Sequence, residues 1–266
     1  MKRSIVGLCY VLLLVIVVPA LLNAQATGSR GNPGVVPPGS KTLGLTYGEW
    51  SARWWEWAFS IPKSVHPLAA ANASCSQMQT GGVWFLGGKF TGSSGYAIRN
   101  CMVPGGTYLF FPIANWVADD TEVDANGALT WDSFTTDYLR SAIKSVLETS
   151  VISVSCTVDG NKIEGLDSIK TTPYRVQSPV FSYSLPATTT SRDNLLGLDL
   201  TRWTPTPPSL PSTYTGTVPW VVADGAFLML SPLSSGFHTI HFAASFTTGF
   251  WFDITYFVEM LPVSHW

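Results

Sequence analysis

Apolar and polar positions follow two rhythms along this chain. In "VISVSCTVDG", Ile152, Val154, Cys156 and Val158 alternate with Ser153, Ser155 and Thr157, the period of two that marks a half-buried strand. Similar β-branched or aromatic runs, each bounded by turn residues, predict strands at about 82–87, 107–113, 151–158, 174–185, 218–230, 237–243 and 251–260. Seven such strands suffice for a sandwich. "VDGNKI" predicts a tight hairpin turn, because Asp-Gly and Gly-Asn accept positive φ. The proline-crowded "TRWTPTPPSLPSTYTGTVP" predicts an exposed loop.

The second rhythm is helical. "TYGEWSARWWEWAFSIP", residues 46–62, holds four tryptophans within eight positions. Thr46 and Glu49 have the spacing of a capping box, and Pro62 ends the segment. At 100° per residue, Tyr47, Trp50, Trp54, Trp57 and Ile61 share one face, with Trp55 and Phe59 in a strip beside it. Glu49, Arg53 and Glu56 occupy the remaining face, spaced so that the guanidinium can pair with either carboxylate. Such a stripe implies a helix laid across a sheet with its indoles buried. The alternative is sugar stacking on an exposed ring, for which Trp55, beside Glu49, Arg53 and Glu56, is the candidate. A second helix is expected at about 132–148, from Phe134, Tyr138, Ile143, Val146 and Leu147.

These elements predict a mainly β protein, a β-sandwich of immunoglobulin-like or jelly-roll-like type with one or two helices packed against it. Charged residues make up only 12% of the chain, against 46% hydrophobic, a balance that suits a large buried interior and excludes disorder. The amino end, "MKRSIVGLCYVLLLVIVVPALLNAQA", has a basic start, an apolar run from Ile5 to Leu22 and a small-x-small site at Ala24-Gln25-Ala26. It reads as a signal peptide over 1–26 rather than an uncleaved anchor, followed by a flexible Gly/Pro-rich arm at 27–45 and one β-rich domain at 46–266. Removing Lys2 and Arg3 lowers the basic count from 15 to 13 against 17 acidic residues. No Lys/Arg cluster is present to neutralise phosphates, so a nucleic-acid partner is excluded. The expected location is outside the cell or in the periplasm.

Three cysteines remain after such processing. The glycine-rich segment between Cys75 and Cys101 allows those two to meet in a disulfide, as an oxidising compartment favours. Cys156 falls on the apolar side of its strand and reads as a buried thiol rather than a nucleophile.

Candidate chemistry is sparse. "DDTEVDANG" resembles the first half of a calcium loop, with Asp120, Glu122, Asp124 and Asn126 as candidate oxygen ligands ahead of Gly127. Twelve positions from Glu122, however, the chain carries Ser133 instead of the bidentate Glu. The same carboxylates suit glycoside hydrolysis only if two face each other across a cleft. His238 and His241, three apart on one strand, point to opposite faces and should not share a metal. If 237–243 and 251–260 pair as a hairpin, His241 and Asp253 share a face, as a structural pair or as part of a catalytic acid–base site. G-x-S-x-G, phosphate-binding glycine loops and H-E-x-x-H are missing.

The motifs "YGEWSARWWEW", "GGVWFLGG", "RNCMVPGGTYLFFPIAN", "YRVQSPVFSYSLP" and "GFHTIHF" together resemble a family of secreted bacterial proteins of unknown function over about residues 46–260. The resemblance implies secretion and a compact domain, but no activity. Three functions remain in view: binding of a glycan or envelope component through an aromatic-lined surface, hydrolysis of carbohydrate by the carboxylates or the His241–Asp253 pair, or a structural role in the envelope with no small ligand.

Overall fold

In the computed structural model, residues 32, 34–69, 73–90, 94–119, 121–123, 129–131, 134–186, 192–197 and 217–263 are described, those of 121–123 and 129–131 by backbone alone. The first helix, α1 (Tyr47–Ser60), starts where the capping box places it. The Glu49 carboxylate accepts from the Thr46 backbone N–H at 2.8 Å, and Thr46 Oγ1 accepts from the Glu49 N–H at 3.2 Å. Gly48 lies in its first turn because α1 crosses a strand closely: a Cβ there would stand 2.4 Å from the Gln177 carbonyl oxygen. The second helix, α2 (Thr136–Ser150), is capped by Thr135, whose hydroxyl accepts from the Tyr138 N–H.

The strands are, in chain order, β1 (Val83–Phe85), β2 (Gly95–Val103), β3 (Tyr108–Ala118), β4 (Thr121–Val123), β5 (Leu129–Trp131) and β6 (Val151–Val158). There follow β7 (Asn161–Lys162), β8 (Arg175–Gln177), β9 (Phe181–Ser184), β10 (Thr217–Leu230), β11 (Gly236–Phe246) and β12 (Trp251–Met260). One sheet has the order β1-β3-β10-β8, with β9 also on β10, and the other β2-β12-β11-β6-β7. Two pairs, β1 with β3 and β2 with β12, are parallel, and the other pairings are antiparallel.

The molecule is thus a β-sandwich with two packed helices, mainly β as the alternating patterns require. The first sheet is buried on both sides. Phe110, Val221, Ala223, Phe227 and Met229 meet α1, while Leu109, Phe111, Ile113, Leu228 and Leu230 face the second sheet. That is why β3 and β10 read as almost unbroken apolar runs instead of alternating ones. A bulge opposite Phe227 accommodates Pro112 inside β3, where a proline would otherwise leave the ladder short of a donor. Between the sheets, Phe111 stacks on Phe242 at 5.2 Å, and α2 adds Leu139, Ile143 and Leu147 to the same interior. Asp224, 2% exposed, is held by a two-pronged Arg175 at 2.9 Å, which also reaches Glu148 at 2.8 Å and so ties α2 to β10.

Three expectations are corrected here. The arm at 27–45 is docked from Gly34 onward: the Val36 N–H donates to Met229, Tyr47 Oη donates to Val36, and Trp50 Nε1 donates to Thr42. The run at 174–185 is two strands, β8 and β9, since Pro179 lies between them. A strand not predicted, β2, forms one edge of the second sheet. The apolar run at 5–22 and the proposed cleavage site lie outside the described residues.

Candidate functional site

In the tryptophan-rich helix three of the four indoles are buried and Trp50 is half-buried. Trp54, Trp55 and Trp57 are buried, and two of their indoles donate inward, Trp54 to Leu86 at 2.7 Å and Trp57 to Gln77 at 2.9 Å. Trp55, the candidate for sugar stacking, is 3% exposed, stacked on Phe59 and met edge-on by Phe90. The strip that helical angles set beside the main face is thus covered by a neighbouring loop and by Tyr183, which lies over Phe59. Glu49 is engaged in the helix cap, and its hydrogen bonds from the Thr46 backbone and side chain hold its carboxyl below the usual range. Arg53 pairs with Glu56 at 2.8 Å on the surface, leaving Glu49 to Thr46.

The sequence does place His241 and Asp253 together. Strand pairing sets His241 opposite Thr255 and Asp253 opposite Ala243, so the two meet diagonally instead of directly. His241 Nε2 lies 2.8 Å from Asp253 Oδ1, both side chains about one-third exposed. His238 turns elsewhere, to Asp159 at 2.8 Å and the Ser234 carbonyl at 2.9 Å. Burial lowers the His238 pKa, but these two hydrogen bonds and the Asp159 charge outweigh it and raise the value overall.

His241 and Asp253 lie on the outward face of the second sheet, Asp253 toward its Trp251 end. The inward residues Ile240, Phe242, Ile254, Tyr256 and Val258 are buried, whereas no described helix covers the other side. Register fixes what stands there. Tyr96 aligns with Asp253, Asn100 with Phe257, and Met102 with Glu259, all across β2 and β12. Phe237 of β11 also aligns with Glu259. Large apolar side chains are left in solvent: Phe237 is 81% exposed, Tyr96 76%, Ile98 66%, Met102 61% and Phe257 47%. Exposed apolar side chains gathered on one face are uncommon on a folded monomer.

Two clefts open at its ends. At one, of about 330 Å³, Trp251 and Tyr96 meet edge-to-face at 5.1 Å beside Asp253, Ser153 and Ser245. At the other, of about 550 Å³, Phe237, Phe257, Met102, Asn100 and Glu259 face Ser74 and Ser76. The Cys75–Cys101 disulfide, with Cα atoms 5.7 Å apart, fastens the loop carrying those serines to β2 and forms the wall of this second cleft. The expected pairing is present. Arg99, between Ile98 and Asn100, turns inward instead: it donates to Tyr256 Oη at 2.8 Å and to the Gly87 carbonyl.

Cys156 is buried under this sheet, where burial pushes its thiol up to about 12, the state of an inert side chain. The proposed calcium residues Asp120, Glu122, Asp124 and Asn126 have side chains outside the described set. The backbone shows β4 and β5 paired antiparallel, with Glu122 opposite Thr130, so two strands flank residues 124–128. Asp119, just before them, accepts from Tyr183 Oη at 2.8 Å. Among the described residues, no three His, Cys, Asp or Glu side chains gather as a metal site would need, and no helix is long and apolar enough to cross a membrane.

Tyr96, Ile98, Met102, Phe237, Phe257 and Trp251 escaped sequence reasoning. The only local signal was that β12 and β11 carry aromatics on both faces, as Phe252 and Tyr256 inward and Trp251 and Phe257 outward show. In comparisons with known proteins, no family model, no curated protein and no solved structure matches this chain.

Proposed function

We propose that this protein is an exported binding module that takes a glycan on the outward face of its second sheet. The observation that carries the reading is the juxtaposition there of exposed rings with carboxylate, amide and hydroxyl groups. A sugar ring has an apolar face of C–H groups and an edge of hydroxyls. Aromatic side chains cover the first, and Asp253, Glu259, Asn100 and the serines can satisfy the second. The disulfide and the leader-like amino end support export, since such a bond persists in oxidising compartments.

Hydrolysis is the second reading, supported by the His241–Asp253 pair. It ranks lower because no hydroxyl among the described residues is bonded to the His241 ring. Asp253 and Glu259 stand six residues apart on one strand, roughly 20 Å at the usual rise, far beyond the spacing of about 5–9.5 Å that glycosidases use.

The test is a glycan panel, with and without calcium, measured by calorimetry for binding and by reducing-end assay for released sugar. Binding without release, abolished by Tyr96→Ala together with Phe257→Ala, is the expected result. Release of sugar would move the protein to the hydrolases, and silence toward every glycan would leave a structural role.

A further inference from the structure

We infer that the Trp251 end of the sheet face is a subsite for a neutral sugar ring, with Asp253 as its fixed hydroxyl acceptor, and that the face rejects anionic glycans. This rests on the glycan reading above and narrows it to a charge class and a set of residues. Three features of the 330 Å³ cleft converge. Trp251 and Tyr96, crossed at 72°, give a corner of two ring surfaces and not a flat patch, which suits one ring held on a face and an edge. Trp251 is itself pinned: its backbone N–H donates to Ser94 Oγ at 3.0 Å, and that hydroxyl also reaches the Gly249 carbonyl.

Asp253 is the second feature. His241 bonds Oδ1 at 2.8 Å, and no hydrogen bond among the described residues occupies Oδ2, so that oxygen can accept from a ligand hydroxyl. A hydrogen bond to an ionised acceptor is about twice as strong as one between neutral groups. Third, Ser153 and Ser245 lie opposite each other on β6 and β11 with their hydroxyls 2.6 Å apart. Such a pair has a donor and an acceptor to spare on its outward side, complementary to a second ring hydroxyl.

The charge discrimination follows from what the face lacks. None of the outward positions of β2, β6, β11 and β12 is Lys or Arg. Arg99 is spent on Gly87 and Tyr256, Lys162 of β7 is held by Glu164 and Asp167, and Lys89 reaches the sheet edge at Gly95 with a partner of its own. Asp253 and Glu259 remain as the face's full charges. A uronate or sulfated ring would bring a second anion beside the Asp253 carboxylate, with no Lys or Arg on the outward strand positions to offset it.

The experiment titrates the oxidised protein with cellohexaose, mannohexaose, xylohexaose and hexagalacturonate, each variant first checked for an unchanged thermal midpoint. At least one neutral hexaose should bind at least about ten-fold more tightly than hexagalacturonate. Trp251→Ala should weaken that binding about ten-fold or more. Asp253→Asn, which removes the charge but keeps the shape, should weaken the neutral sugar several-fold while strengthening the uronate. Equal binding of neutral and acidic sugars, or Asp253→Asn and Trp251→Ala without effect on a sugar that Phe257→Ala loses, would overturn the subsite while leaving the broader reading standing. Absence of binding by all four and by the wider panel would overturn both.

Discussion

Two concentrations of aromatic residues lie on opposite sides of this sandwich, and their fates differ. Those of α1 are sealed against the first sheet: Trp54 meets Phe227, Trp55 stacks on Phe59, and Phe110 lies flat on Phe227 at 6°. Those of the second sheet's outer side have a wall of backbone beneath them and solvent above. Composition is similar in both places, yet among the described residues only the first has a partner element. Aromatic content therefore does not separate core from surface; coverage does, and coverage is a property of tertiary assembly.

The sharpest way to break this comparison is to truncate one ring on each side. Trp54→Ala removes a fully packed indole together with its hydrogen bond to Leu86, and should cost about 3–5 kcal/mol of unfolding free energy in a urea titration. A small loss there would mean that α1 is only loosely laid on the sheet. Next in size is the disulfide. Replacing Cys75 and Cys101 by Ala together should cost about 3 kcal/mol by freeing the loop between them, read as a lowered denaturation midpoint in the same titration.

A third test concerns acid, and it probes the α1 side through His66 and the second sheet through His238. His66 is fully buried and satisfied as a neutral ring, with Nε2 donating to the Ala58 carbonyl at 2.6 Å and Nδ1 accepting from the Leu68 N–H at 2.9 Å. Burial above all, offset by the Ala58 hydrogen bond and assisted by the Arg99 charge, lowers its pKa to about 4. The folded protein thus binds this proton less readily than the unfolded chain, so stability is lost as pH falls from about 6.5 to about 4, by about 3 kcal/mol in all. His238 has the opposite sign: its raised pKa contributes stability below about 6.5 that fades as pH rises through the folded value. Unfolding curves at several pH values should therefore show an acid-side loss that His66→Gln flattens and His238→Gln deepens. The smallest expected effect is Tyr96→Ala on the bare face, within about 0.5 kcal/mol of the parent. A larger cost would mean that Tyr96 serves the fold and not a ligand.

Much of this architecture was legible because local patterns carry it. The capping box set the start of α1, Pro62 its end, and the alternation of Val154, Cys156 and Val158 marked β6 with its cysteine turned inward, whereas Ile152, expected on the same side, is exposed beside the irregularity in the pairing with β11. An assumed hairpin of β11 and β12 put His241 and Asp253 on one side, and the strands do pair that way. What could not be read depends on elements far apart in the chain. Trp55 sits at an angle that suggests a rim, but Phe90 and Tyr183 close over that strip. Strand β2 was hidden because Tyr96, Ile98 and Met102 face out while Ala97, Cys101 and Val103 face in, so both sides are apolar and no alternation shows. With β2 unseen, the aromatic corner at Trp251 had no second ring. The arm looked loose because glycine and proline dominate it, yet Val35 bridges to Leu230 and closes over the end of the sheet.

The position of β12 has a consequence for how the chain comes to be folded. This strand is the last of the twelve to be synthesised, yet it lies between β2 and β11 and not at a margin. Until Met260 has left the ribosome, β2 has no neighbour in its own sheet, and its row of backbone donors and acceptors stays open to whatever else is near. Assembly by such a long-distance insertion is slow. A chain passed across a membrane before it folds would meet an oxidant while β2 still waits, and the crosslink between Cys75 and Cys101 could tether that strand's end before its companion arrives.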